Sequence, residues 1–78
     1  MYILRCRDGS LYTGVTNDLT RRLRRHNAGT ASAYTRSRRP VRLVYQERQP
    51  DRSAALRREA ALRRLSRAAK LALVKSGA

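Results

Sequence analysis

An excess of 14 positive charges on 78 residues constrains this chain more than any other feature of its sequence. There are 19 basic residues against 5 acidic ones, and 17 of the 19 are Arg. A chain of this length buries only about 60% of the surface its unfolded form exposes, so the core is thin and every apolar stripe is needed for it. One domain over residues 1–78 is therefore expected, with no room for a second. Guanidinium groups at this density repel one another unless a polyanion neutralises them, and their planar, two-pronged donor set matches phosphate. Nucleic acid, DNA in the first place, is the leading partner. A membrane surface is the competing anion and is set aside, because the basic residues are spread through every segment rather than gathered on one amphipathic helix.

The apolar run Leu71 to Val74 is far shorter than the roughly 20 residues a membrane span requires, and Met1 opens directly into strand-like sequence. Neither a transmembrane helix nor a signal peptide is expected. Cys6 is the sole cysteine and His26 the sole histidine, so an internal disulfide and a zinc cluster are both excluded. A reducing cytoplasm fits this usage, with Cys6 as a small buried hydrophobe.

Along the chain, Tyr2 to Arg7 and Leu11 to Val15 read as two strands joined through Asp8-Gly9, a hairpin signal. Two registers are open. A two-residue loop pairs Cys6 with Leu11 and sends Tyr2 and Tyr12 to opposite faces. A three-residue loop, Arg7-Asp8-Gly9 with Gly9 left-handed, pairs Cys6 with Ser10 and puts both tyrosines on one face beside Leu4. Thr16, Asn17 and Asp18 are capping types ahead of a helix from Leu19 to Asn27, stopped by Ala28-Gly29. With Leu19 at zero and a step of about 100° per residue, Leu23 falls near +40°, His26 near −20° and Arg22 near −60°. Arg22 and His26 thus share the inward edge with two leucines.

Thr30 to Pro40 is small, polar and basic, and reads as an ordered loop; within it Tyr34, Arg36, Arg38 and Arg39 form an aromatic and basic cluster suited to backbone phosphates and one stacked base. Val41 to Glu47 alternates as a third strand. Asp51 or Ser53 caps a second helix reaching Leu65, Ser66 caps a third reaching Lys75, and Ser76-Gly77-Ala78 is expected to fray.

One carboxylate is out of place. In the second helix Glu59 lies between Leu56 and Leu62 at the centre of the inner stripe, with Arg57, Arg58 and Ala61 on the solvated side. Burying it requires a partner: either Arg63 four residues on, or a metal ion. Asp8, Asp18, Asp51 and Glu47 have ordinary places in a turn, at two caps and at a strand end. A two-metal phosphodiesterase, which gathers several carboxylates, is excluded. One Mg²⁺ held by one carboxylate, waters and the substrate phosphate is not.

Tyr2-Ile3-Leu4, then Leu11-Tyr12-Thr13-Gly14, then Arg22 and His26 on one helix and Glu59 on a later one resemble the GIY-YIG nuclease superfamily. The likeness spans nearly the whole chain. It is closest to the small single-domain bacterial members through RCRDGSLYTGVTNDLTRRLRRHNAG, AYTRSRRPVRLVY and ALRREAALRRLSR. It implies an α+β fold, a three-stranded antiparallel sheet flanked by about three helices. The implied activity is an endonuclease hydrolysing phosphodiester bonds with one Mg²⁺ or Mn²⁺ ion and no small-molecule cofactor. Tyr2 matches the tyrosine closing the first motif, Tyr12 the one opening the second and Gly14 its glycine. Arg22 and His26 match the helix arginine and histidine, and Glu59 the metal-binding glutamate. The second motif reads Tyr-Thr-Gly, and the residues that ordinarily precede Tyr2 are missing, so the first strand is expected to be short at its start. Because the family brings both tyrosines into one site, the resemblance favours the three-residue loop.

In chemical terms, Tyr12 or Tyr2 activates the water, His26 relays a proton, Arg22 binds the scissile phosphate and Glu59 holds the metal. A phenol of pKa about 10 must fall by roughly 3 units to ionise near neutrality, about 4 kcal/mol. One positive charge about 4 Å away is worth a similar amount at an effective dielectric near 20. The rival reading is a nucleic-acid-binding module on the same fold without efficient cleavage.

Overall fold

The computed structural model describes residues 1–77. Strand β1 (Tyr2–Arg5) lies at the centre of an antiparallel sheet of order β2-β1-β3, between β2 (Leu11–Gly14) and β3 (Arg42–Gln46). Helices α1 (Leu19–Ala28), α2 (Ala33–Arg36), α3 (Arg52–Arg63) and α4 (Arg67–Gly77) complete an α+β domain. That is one helix more than the sequence suggests.

The hairpin takes the three-residue loop. Tyr2 pairs with Gly14 and Leu4 with Tyr12; the Cys6 amide donates to the Ser10 carbonyl at 2.9 Å, and Gly9 has φ +85°. Asp8 holds the turn by accepting from the Ser10 amide at 3.0 Å. The register puts Tyr2, Leu4 and Tyr12 on one face of the sheet, and Met1, Ile3 and Leu11 on the other.

Each face packs its own layer. Tyr2, Leu4, Cys6 and Val41 form a cluster with Tyr12, Leu43 and two leucines of α1, Leu19 and Leu23. Met1, Ile3 and Leu62 form the second, with Leu11, Val15, Val44 and Tyr45 and, from α4, Leu73 and Val74. Strand β3 serves both faces but does not alternate strictly. Ile3 pairs with Tyr45 and Leu4 with Leu43, so Val44 is the extra residue of a bulge and joins Tyr45 on the α4 side.

Local chemistry sets the helix ends. Asp18 accepts from the Arg21 amide at the start of α1, and Gly29, at φ +84°, closes it. Asp51, rather than Ser53, caps α3. In α4 the helix runs through Ser76, whose hydroxyl donates to the Leu73 carbonyl, so the expected fraying does not reach it; Ala78 lies outside the described residues. The buried stripe of α3 consists of Ala55 and Leu62, whereas Leu56 is 44% exposed. On the other flank of the stripe lies Arg58. Its guanidinium grips Glu47 with two bonds of 2.9 and 3.0 Å, and Glu47 also takes hydrogen bonds from Tyr45 and Gln49. Glu59 lies at the edge of the buried stripe and not at its centre.

Gly14 is required by close approach. A Cβ there would lie 2.5 Å from the Tyr2 hydroxyl oxygen and 2.6 Å from the ring carbon that bears it. Because the ring is 2% exposed and tied at its tip, Gly14→Ala is expected to lower stability by about 1–3 kcal/mol, read as a fall in melting temperature.

Candidate active site

The site grows from the α1 face of the sheet. Tyr2 and Tyr12 reach it from neighbouring strands because their registers differ by an even number of residues. Their rings meet one imidazole: the Tyr2 hydroxyl lies 2.9 Å from His26 Nε2, and the Tyr12 ring meets His26 edge to face at 5.1 Å between centroids. His26 is 1% exposed, one turn of α1 beyond the half-buried Arg22. Its Nδ1 lies 2.8 Å from the Thr35 hydroxyl. Both ring nitrogens are therefore occupied, and the imidazole touches solvent only through its neighbours.

Burial governs the titration of the pair. It pushes the Tyr2 phenol from 10.0 up to about 12, with Tyr12 and Glu59 adding to the rise and Arg22 opposing it. Sequence reasoning expects one nearby Arg to bring such a phenol down. At Tyr2, desolvation outweighs that charge, and the phenol is protonated at neutral pH. His26 is held below its ordinary pKa by burial first, then by Arg22 and Arg25, which keeps the ring neutral near pH 7.

The raised phenol has a stability consequence. Unfolded Tyr2 ionises near pH 10 and folded Tyr2 near 12, so the unfolded state binds fewer protons in that window and stability falls across it as pH rises. Tyr2→Phe removes this contribution. Its melting temperature is expected to decline less steeply than the wild type's between pH 9.5 and 11.5, the wild type losing about 1.7 kcal/mol more.

Arg22 and Glu59 both act on Tyr2 without pairing with each other. The Arg22 guanidinium has no hydrogen-bond or ion-pair partner among the described residues. The Glu59 side chain is 16% exposed, and its one cation among the described residues is Arg63, at 3.5 Å and largely in solvent. The salt bridge anticipated between them is thus present but weak, and it leaves carboxylate lone pairs free. Among the described residues no three His, Cys, Asp or Glu side chains gather as a metal-binding group. The donor set suits one hydrated Mg²⁺ or Mn²⁺ on a single carboxylate and does not suit an all-protein cage.

The basic and aromatic cluster of the third loop divides in two. Tyr34, 39% exposed, tilts against Tyr12 at 5.9 Å, and the Arg38 guanidinium lies 3.9 Å from the centre of its ring. Together they extend the site outward as an aromatic plate. Arg38 is itself anchored by Asp8 at 3.2 Å and by the Tyr34 carbonyl at 2.8 Å. Arg36 and Arg39 turn instead toward Gly29, where Arg39 binds the carbonyls of Arg36 and Asn27. They form a separate basic patch with Arg7.

Two contributors escape sequence reasoning. Thr35 is fully buried on α2, in a stretch that reads as polar loop; the one available signal is Ser32 three residues before it, which caps α2 through the Thr35 amide. Asn27 borrows the manners of a strand, accepting from the Val41 amide at 2.8 Å and donating to its carbonyl at 3.2 Å. It thereby ties the end of α1 to the entry of β3.

Comparison with known proteins adds four findings. The GIY-YIG catalytic domain family matches residues 1–72. A UPF0213 protein of Streptococcus sanguinis (strain SK36) is 52% identical over 75 residues, covering 96% of this chain and 86% of that protein. One from Staphylococcus saprophyticus is 48% identical over 77 residues, covering 99% and 94%. The solution NMR structure of a UPF0213 protein from Bacillus halodurans superposes with a TM-score of 0.61 at 46% identity, covering 95% of this chain and 79% of that one.

Proposed function

The chain belongs to the GIY-YIG catalytic domain family, and on that premise we propose that it is an endonuclease hydrolysing phosphodiester bonds of nucleic acid, DNA in the first place. No helix among the described residues is long and apolar enough to cross a membrane, and the setting we assign is a reducing cytoplasm. The observation that carries the reading is the unpaired, half-buried Arg22 acting on the same phenol as the lightly held Glu59. A cation awaiting an anion and an anion free to take a cation, both within electrostatic reach of Tyr2, suit a phosphate with its metal.

Arg22 holds the scissile phosphate and stabilises the charge that grows on its oxygens. Of the two phenols, Tyr12 is only partly buried whereas Tyr2 is sealed against His26, so Tyr12 faces the attacking water, and its hydroxyl relays the proton: the oxygen takes the water's proton as its own passes to solvent. The Tyr2–His26 pair backs the Tyr12 ring and fixes where that oxygen lies. Glu59 would hold Mg²⁺ or Mn²⁺, which supplies charge neutralisation and acidifies bound water. Tyr34 and Arg38 offer a flat surface to one base and a charge to the adjoining backbone.

Conversion of supercoiled DNA to open circles, measured beside salt-dependent binding, tests the proposal. Binding is expected to weaken steeply with salt as phosphate contacts release counterions, and nicking to require Mg²⁺ or Mn²⁺. Salt-sensitive binding without nicking would instead identify a non-catalytic binding module.

A further inference from the structure

The imidazole of His26 is the innermost polar group of the site, and each of its nitrogens has one partner. On the inner side Thr35 is 0% exposed, and its Oγ1 has three polar neighbours: His26 Nδ1 at 2.8 Å, the Ser32 carbonyl at 3.4 Å and the Ser32 hydroxyl at 3.3 Å. The Ser32 hydroxyl is already an acceptor, for the Thr35 amide at 3.2 Å.

A carbonyl oxygen can only accept. The hydroxyl proton of Thr35 thus has an acceptor in the Ser32 carbonyl, which also takes the Arg36 amide at 3.0 Å, and with the proton so placed its lone pairs are left for Nδ1. On the outer side the Tyr2 hydroxyl also has one proton, and among the described residues its sole partner is Nε2. A phenol is a stronger donor than an imidazole N–H, and an imidazole nitrogen a stronger acceptor than a phenol oxygen. Both ends of the chain Ser32, Thr35, His26, Tyr2 select the same proton placement.

We propose that Thr35 is a positioning residue that sets the tautomer of His26: its hydroxyl accepts from Nδ1–H, so that Nε2 is bare and accepts from Tyr2. The assignment deepens the hydrolase reading, on which its consequence for turnover rests, whereas the tautomer itself does not depend on activity. Its role is to orient the Tyr2 hydroxyl and, through the His26 ring, the Tyr12 ring against it. Short helix α2 thus has a purpose, since its Ser32 cap and its Thr35 hydroxyl form one unit behind the imidazole.

Because the chain has one histidine, a long-range proton–nitrogen NMR spectrum of ¹⁵N-labelled protein at neutral pH shows its two ring nitrogens without overlap. The wild type and Thr35→Ser are expected to give the pattern of protonated Nδ1 and bare Nε2. In Thr35→Val, which keeps the shape and removes the acceptor, the pattern is expected to move to Nε2–H. Nicking should fall about 10- to 100-fold in Thr35→Val and recover in Thr35→Ser, in line with the usual cost of removing a partner behind a functional histidine. An Nε2–H pattern in the wild type, or an unchanged pattern in Thr35→Val, would overturn the assignment; should the valine variant not fold, the wild-type and serine spectra decide it alone. Nδ1–H in a wild type that does not nick DNA would uphold the tautomer and defeat the hydrolase reading.

Discussion

Glu59→Ala is expected to reduce metal-dependent nicking by about a thousandfold or more while leaving the fold and DNA binding in place. The magnitude follows from the several kcal/mol of charge stabilisation that a bound divalent ion supplies, each 1.4 kcal/mol being a factor of ten in rate. The selectivity follows from where Glu59 lies. It sits at the edge of the α3 stripe and not in the core formed by Ala55 and Leu62, and among the described residues its only cation is Arg63, at 3.5 Å. Its truncation leaves no buried charge behind. Melting temperature should stay within about 2 °C of the wild type, and affinity for DNA should be equal or slightly higher, since one negative charge is gone. Nicking by the variant equal to that of the wild type would show that the carboxylate holds nothing the reaction uses.

Tyr12→Phe is expected to cost about 10²- to 10⁴-fold in single-turnover cleavage, the range for loss of a positioned proton acceptor. The Tyr12 hydroxyl has no hydrogen bond to the described residues, and its ring contacts with His26 and Tyr34 involve carbon faces and edges that phenylalanine retains. Stability should therefore be unchanged. Tyr2→Phe is the informative contrast. It breaks the 2.9 Å bond to His26 inside the core and should lower stability at neutral pH by about 1 kcal/mol, so its effect on cleavage comes mixed with an effect on folding. A Tyr12→Phe protein that cleaves at the wild-type rate would move the water-facing role to another group.

Much of this architecture is legible in the residues themselves, for identifiable reasons. Helix α1 has a cap at Asp18, a stop at Gly29 and an inward edge on which Arg22 and His26 fall by helical geometry alone, and the structure keeps all three. The hairpin is different. Asp8-Gly9 is compatible with two registers, and only the likeness to a family whose tyrosines share a site separates them; the backbone then shows the left-handed Gly9 that the longer loop demands. Helix α2 is invisible to periodicity because four residues complete one turn. The rotation of α3 is likewise out of reach, since it shows in contacts between residues far apart in sequence, such as Arg58 with Glu47, and the apolar pattern alone would have turned Leu56 inward. Thr35 is the clearest case: beyond a capping serine three residues before it, nothing in its type or spacing distinguishes a threonine on a polar loop from one sealed against the central imidazole.

Chelation and restoration of metal during cleavage of saturating DNA tests the central claim most directly. The wild-type protein should cut in Mg²⁺, stop when EDTA is added while DNA stays bound, and resume when Mg²⁺ is restored in excess. Cutting that continues in EDTA, or bound DNA left intact at every metal concentration, would contradict it.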